Sequence, residues 1–203
     1  MTACLADTIE PAFEVLTPVE ARAPVLFNSP HSGRIYPRSF VEQTRLDFAT
    51  LRRSEDTFVD ELFGDCVALG APMMRALFPR SFLDLNREPY ELDPRMFDGR
   101  LPPFANTRSI RVSGGLGTIA RVVGDAQEIY PRRLAVNEGL ERIETYYKPY
   151  HRPCAASSAA SSANGAWRCW WIAIPCPPLR RGTRWRGSIS SSVTGTGRVA
   201  ASW

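Results

Sequence analysis

Apolar positions along the first 151 residues fall in short runs separated by polar loops. Pro24-Val25-Leu26-Phe27-Asn28 is an apolar run that ends on a polar segment, which predicts a buried strand. Leu46 to Arg53 reads as a short helix. Thr57 to Leu69 places Phe58, Val59, Leu62, Phe63 and Val67 on one helical face, and Gly70 closes it. Pro72 to Ala76 and Ser81 to Leu85 read as two further strands. Strand, helix and strand in this order predict a right-handed crossover and a mostly parallel sheet, hence an α/β class. Residues 88–118, rich in Pro and Gly, predict a long loop of the kind that often carries function. Val136 to Tyr147 reads as another helix, and no internal repeat is visible.

The last quarter of the chain differs in kind. Residues 152–203 contain no Asp, Glu, Lys, His, Phe, Tyr, Met or Gln, yet hold all five Trp and seven Arg. At the acidic frequency of the preceding residues, such a stretch would hold about seven acids. The composition predicts a low-complexity, disordered tail, although tryptophan is unusual in disordered segments. The division also explains the charge. Residues 1–151 carry 18 Lys and Arg against all 21 acids, a net of −3, whereas residues 152–203 contribute +7. The basic balance therefore comes from one quarter of the chain and does not argue for a nucleic-acid partner. No run of about 18 apolar residues predicts a membrane span. Met1 to Glu20 lacks a basic segment followed by an apolar one, so a signal peptide is not expected and a cytoplasmic location is. The five cysteines form no CxxC pair and suggest neither a disulfide framework nor a zinc ribbon.

Four features carry candidate chemistry. His31 lies in Asn28-Ser29-Pro30-His31-Ser32-Gly33, just after an apolar strand, where α/β sheets build their sites. Its ring can serve as ligand, as base, or as a hydrogen-bonded loop residue. Glu55-Asp56 precedes the predicted helix at Thr57, so it either caps that helix or supplies a carboxylate ligand beside His31. Arg80-Ser81-Phe82-Leu83-Asp84-Leu85-Asn86-Arg87 places guanidinium and amide groups at the end of an apolar run. Such groups bind carboxylates or form surface ion pairs, and Arg80 could polarise a carbonyl. Gly114-Gly115-Leu116-Gly117-Thr118 lacks the Lys-Ser/Thr of a phosphate-binding loop.

Taken together, Ser29-Pro30-His31-Ser32-Gly33-Arg34-Ile35-Tyr36-Pro37, Glu55-Asp56-Thr57-Phe58-Val59-Asp60-Glu61-Leu62-Phe63 and Asp84-Leu85-Asn86-Arg87 resemble the N-formylglutamate amidohydrolase family. Gly115 to Arg121, Glu128-Ile129-Tyr130 and Pro149-Tyr150-His151 fit in the same order, so the resemblance spans residues 22–151. It implies a zinc-peptidase-like mixed sheet flanked by helices, incomplete in this chain. It also implies hydrolysis of N-formyl-L-glutamate to glutamate and formate, a late step of histidine breakdown. By resemblance His31 and Asp56, with Glu55 as the alternative, bind one zinc ion. Asn86 and Arg87 hold the substrate carboxylate, and Arg80 takes the oxyanion role. The expected partner is a small N-formyl amino acid, with no nucleic acid and no membrane. Two departures stand out. His31 and Asp56 are 25 residues apart, where the peptidase relatives space His and Glu by three. The family's second metal-binding His, in a motif read as DCHSMP, is missing, as is the late carboxylate expected as general base.

A shifted reading frame accounts for the missing motif. Codons built from the third base of one residue and the first two of the next can be chosen so that Trp167 to Pro178 reads ALLVDCHSMPS, with the lost His across Ala173 and Ile174. With suitable third bases Arg152 to Ser162 and Trp185 to Gly195 can likewise give PLRRLVGRLV and ARVDFVLGD in the same frame. The expected organisation is therefore an amidohydrolase N-terminal part over residues 1–151 and an out-of-frame tail over 152–203. Such a chain would be inactive or poorly folded, with the sheet edge unpaired. Two other readings are a related hydrolase with another N-acyl amino acid or amide as substrate, and a non-catalytic carboxylate-binding protein.

Overall fold

The computed structural model describes residues 3–23, 25–159 and 168–171, with side chains described through residue 153. Its centre is a four-stranded mixed sheet in the order Arg168–Trp171, Val25–Ser29, Met73–Ala76, Phe13–Leu16. The first two pairings are parallel and the last is antiparallel. The predicted strand, helix and strand are present as Val25–Ser29, the helix Val59–Leu62 with the 3-10 turn Gly64–Cys66, and Met73–Ala76. The helix is shorter than its apolar spacing predicts, because Phe58 starts it with a left-handed φ of 67° and a 3-10 turn replaces its end.

The predicted helix around residue 50 is Phe48–Arg52, capped by the Asp47 carboxylate, which accepts from the Thr50 amide. Ser81 to Leu85 is not a strand. Phe82 and Leu83 donate their amides to the Pro79 carbonyl and form a turn, while the Phe82, Leu83 and Leu85 side chains are buried. An apolar run there marks burial without ladder pairing, the ambiguity inherent in short apolar segments. Within residues 88–118 the structure is mostly irregular, with a 3-10 turn at Pro94–Met96 and a single helical turn at Ile110–Ser113.

The last predicted helix starts at Val136 as expected. It passes through a π-helical turn at Ile143–Tyr147 and continues as Lys148–Ala159. Helical structure therefore crosses residue 151, and Arg168–Trp171 occupies the sheet edge beside Val25–Ser29 that was expected to stand unpaired. Of the tail expected to be disordered and out of frame over 152–203, residues 160–167 and 172–203 lie outside the described residues. The main core covers one face of the sheet, around Tyr36, Phe40, Met74, Phe78, Leu83, Leu85, Ile119 and Tyr150. A smaller cluster of Cys66, Ala71 and Met73 covers the other face. No helix among the described residues is long and apolar enough to cross a membrane.

Candidate active site

The strand Val25–Ser29 delivers His31 to the carboxyl end of the sheet. Pro30 has no amide proton and ends the ladder, and the chain turns sharply into Ser32 and Gly33. Gly33 is required there: a Cβ at this position would lie 2.1 Å from the backbone oxygen of Phe78. The loop is tied to the second predicted element from both sides. The Asp56 amide donates to the His31 carbonyl at 3.1 Å, and the Ser32 hydroxyl donates to the Asp56 carbonyl at 2.9 Å. These bonds bring the Asp56 carboxylate beside the ring across 25 positions of sequence.

His31 is fully buried between two carboxylates. Its Nδ1 stands 3.3 Å from Asp56 Oδ2, and its Nε2 stands 2.8 Å from Asp84 Oδ1. The shorter is a charge-assisted hydrogen bond with Nε2–H donating. The longer is within hydrogen-bond reach and is also close to the spacing of two donors on one tetrahedral zinc, which stand about 3.4 Å apart when each bond is near 2.1 Å. A metal-binding histidine characteristically donates its other ring N–H to a carboxylate, and Asp84 is placed to receive it. His31 Nδ1 and Asp56 thus fit one edge of a zinc site. Among the described residues no group of three His, Cys, Asp or Glu side chains suited to hold a metal is found.

Glu55 takes a different part. It accepts from the Tyr36 hydroxyl at 2.7 Å and from Arg52 Nε at 3.0 Å, so it braces the helix at Phe48–Arg52 and does not face His31. Burial, together with the Glu55 carboxylate, pushes the Tyr36 phenol up and keeps it a donor.

Asp84 is the residue whose role the sequence left unassigned. Its amide donates to the Thr118 carbonyl at 2.7 Å, and the Thr118 amide donates to the Glu91 carbonyl, an approach that Gly117 allows because a Cβ there would meet the Glu91 oxygen at 2.2 Å. The glycine cluster is thus packing behind the site. Burial opposes ionisation of Asp84, but His31, Arg80 and Arg87 outweigh it and hold the carboxyl well below the ordinary range. Arg80 Nη2 donates to Asp84 Oδ2 at 2.8 Å, and its Nη1 lies 3.7 Å from Asp56 Oδ1, so it spans both carboxylates. The Asn86 backbone N–H donates to Asp84 Oδ1, and Arg87 Nη2 lies 3.6 Å from Oδ2. Arg87 also donates to the Leu116 and Asn86 carbonyls. Burial pushes its guanidinium down, Asp84 opposes the shift, and the nearby Arg111 and Arg80 add to it. His31, Asp56, Arg80, Asn86 and Arg87 therefore converge around Asp84. His151 lies beneath them, its Nε2 donating to the Leu85 carbonyl at 3.1 Å.

A His–carboxylate pair and a guanidinium cluster at the strand ends of an α/β chain are groups that a hydrolase can use. The sequence profile of the N-formylglutamate amidohydrolase family matches residues 23–174, and the chain belongs to that family. Among solved structures it is similar to N-formylglutamate amidohydrolase from Ralstonia eutropha JMP134, with 34% identity and a TM-score of 0.70. That likeness covers 79% of this chain and 56% of the other, so the chain spans little more than half the relative's length. No curated protein matches the chain by sequence.

Proposed function

We propose that the site is one half of a zinc-dependent deformylase that converts N-formyl-L-glutamate to L-glutamate and formate, and that this chain does not complete it. The carrying observation is the placement of His31 between Asp56 at 3.3 Å and Asp84 at 2.8 Å, with Arg80 across both carboxylates. In this reading His31 Nδ1 and Asp56 hold zinc, and Asp84 fixes the ring by accepting its Nε2 proton. Bound zinc would activate water and polarise the formyl carbonyl. Arg80 stabilises negative charge developing on the carbonyl oxygen, the role of a fixed cation in a site shielded from water. Asn86 and Arg87 orient the substrate by a carboxylate, which suits a substrate carrying two of them. The zinc-peptidase-like architecture, the place in histidine breakdown and a cytoplasmic setting belong to the same reading.

The incompleteness is also part of the proposal. Residues 152–203 hold no acid, and one shifted frame can encode ALLVDCHSMPS over Trp167 to Pro178. The strand Arg168–Trp171 in that stretch runs parallel to the His31 strand, with Trp171 level with Asn28. A His supplied just beyond such a strand would emerge at the same end of the sheet as His31. The test has two arms. Sequencing the gene across codons 148–160 is expected to show a frame change, and an uninterrupted frame confirmed by protein mass would sink it. Restoring the frame is expected to give about one bound zinc and formate release from N-formylglutamate. A restored protein that binds the substrate without turnover would favour the carboxylate-binding alternative.

A further inference from the structure

The helix after residue 143 touches both halves of the site through three polar side chains on one face. The Tyr150 hydroxyl donates to Asn28 Oδ1, on the strand that leads to His31. The Tyr147 hydroxyl donates to the Arg87 carbonyl, and His151 Nε2 donates to the Leu85 carbonyl, on either side of Asn86. Asn28 and Tyr150 are fully buried. Unsatisfied polar groups are costly at such depth, so these bonds define a distance between elements. The Tyr147 and His151 rings pack with centroids 4.2 Å apart, and Tyr150 meets His151 edge-on at 5.6 Å, which makes the three side chains one block.

Their protonation suits donation. Burial, with Asp84, Glu88 and Glu91 nearby, pushes the Tyr147 phenol up, and burial holds the His151 ring below its ordinary value despite the Leu85 carbonyl. The π-helical turn Ile143–Tyr147 sets the face. A π turn carries an extra residue compared with an α turn, so it rotates the helix Lys148–Ala159 relative to Val136–Arg142. Single π turns of this kind are frequent near functional sites.

We infer that Tyr147, Tyr150 and His151 are positioning residues: they clamp the Asp84–Arg87 loop to the His31 strand and thereby set the His31–Asp84 hydrogen bond. The inference rests on the reading of His31 and Asp84 as the centre of the site. None of the three side chains needs to touch substrate or metal.

The chain has only two histidines, so 15N-histidine labelling of the full-length protein gives a spectrum in which His31 is directly readable. The wild type is expected to show a downfield His31 Nε2 proton protected from exchange by Asp84. In Tyr150→Phe and His151→Phe, each still folded by near-ultraviolet dichroism, that proton is expected to exchange several-fold faster or to vanish. His151→Gln, whose amide can still donate to Leu85, is expected to restore it. Leu134→Val, a core change away from the clamp, is expected to leave it in place. The clamp is refuted if the signal is absent from the wild type, if it persists in folded Tyr150→Phe and His151→Phe, or if Leu134→Val removes it equally. Adding zinc to the wild type reads the proposed metal site separately. An unmoved His31 Nδ1 resonance would remove the zinc assignment and leave the clamp result standing.

Discussion

His31 Nε2 and Asp84 Oδ1 are 2.8 Å apart in a buried environment, although 53 positions separate them in sequence. The bond fixes the ring, selects the tautomer with Nε2 protonated, and leaves Nδ1 turned to Asp56. Asp84→Asn removes the acceptor charge while keeping the shape. It also leaves His31 and Arg80 without their shared anion. Breaking a buried pair of this kind costs about 3 kcal/mol or more. Zinc affinity of the frame-restored protein is expected to fall about 10- to 100-fold, the usual effect of losing a carboxylate behind a ligating histidine. Urea unfolding and a zinc titration check the two effects. An unchanged zinc affinity would remove Asp84 from the site.

Gly33→Ala tests how the His31 loop is held. The added methyl would sit 2.1 Å from the Phe78 oxygen, and backbone cannot move aside as a flexible side chain can. The loss is expected to lie at the upper end of overpacking costs, about 3 kcal/mol. Gly64→Ala is the control, because nothing lies within 4 Å of its Cβ position, and its effect is expected to stay within about 0.5 kcal/mol. Urea midpoints of the two variants decide the matter, and similar losses in both would show that the tight approach at Gly33 does not matter.

The His31 loop is legible in the sequence because strand, proline, histidine and small residues follow one another locally, and the parallel crossover comes from the apolar spacing. The role of Asp84 is not legible. It stands inside a conspicuous Asp-Leu-Asn-Arg run, but nothing local says that its carboxylate meets the second ring nitrogen of a residue 53 positions away. Ser81 to Leu85 departs from its predicted strand for a related reason, since burial by tertiary packing produces the same apolar run as a paired strand. The strands Cys4–Ala6 and Phe13–Leu16 leave little trace in the sequence because they are short and only partly buried, so alternation has little length in which to show. His151 lies beyond the helix that the sequence predicts over Val136 to Tyr147, whereas the structure carries the helix through it and ties its ring to the Leu85 carbonyl of the site loop.

Neighbouring carboxylates make the next contrast. Glu55 is bound to Tyr36 and Arg52, whereas Asp56 faces His31 and Arg80. In the frame-restored protein, Glu55→Gln is expected to cost about 1–2 kcal/mol of stability, from charged hydrogen bonds weakened to neutral ones. It is expected to leave zinc affinity unchanged. Asp56→Asn is expected to lose zinc binding, because a neutral amide is a poor ligand and only the two histidines would remain to hold the ion. Equilibrium dialysis with zinc, paired with thermal melts, separates the two. Zinc loss in Glu55→Gln with retention in Asp56→Asn would reverse the assignment of the ligand.

Acid should loosen the helix that backs the site, and the sign comes from His151. Burial lowers its pKa below the ordinary value of 6.5, and the hydrogen bond to Leu85 only partly offsets this. The unfolded chain therefore takes up a proton at a higher pH than the folded one. The stability contributed by the neutral ring is fully present above about pH 6.5 and is lost as pH falls through the lower folded value. The slope from one such group reaches at most about 1.4 kcal/mol per pH unit. The Tyr147 and Tyr150 rings and the Leu85 carbonyl are among the groups that face His151, and they do not titrate in that window. His151→Gln keeps a donor for Leu85 but cannot take up a proton. Urea midpoints measured from pH 7.5 to 5.5 are expected to fall more steeply for the wild type than for His151→Gln, and the difference between the two curves isolates this residue from the carboxylates. Parallel curves would mean that His151 is as easily protonated in the folded chain as in the unfolded one, and the linkage would be lost.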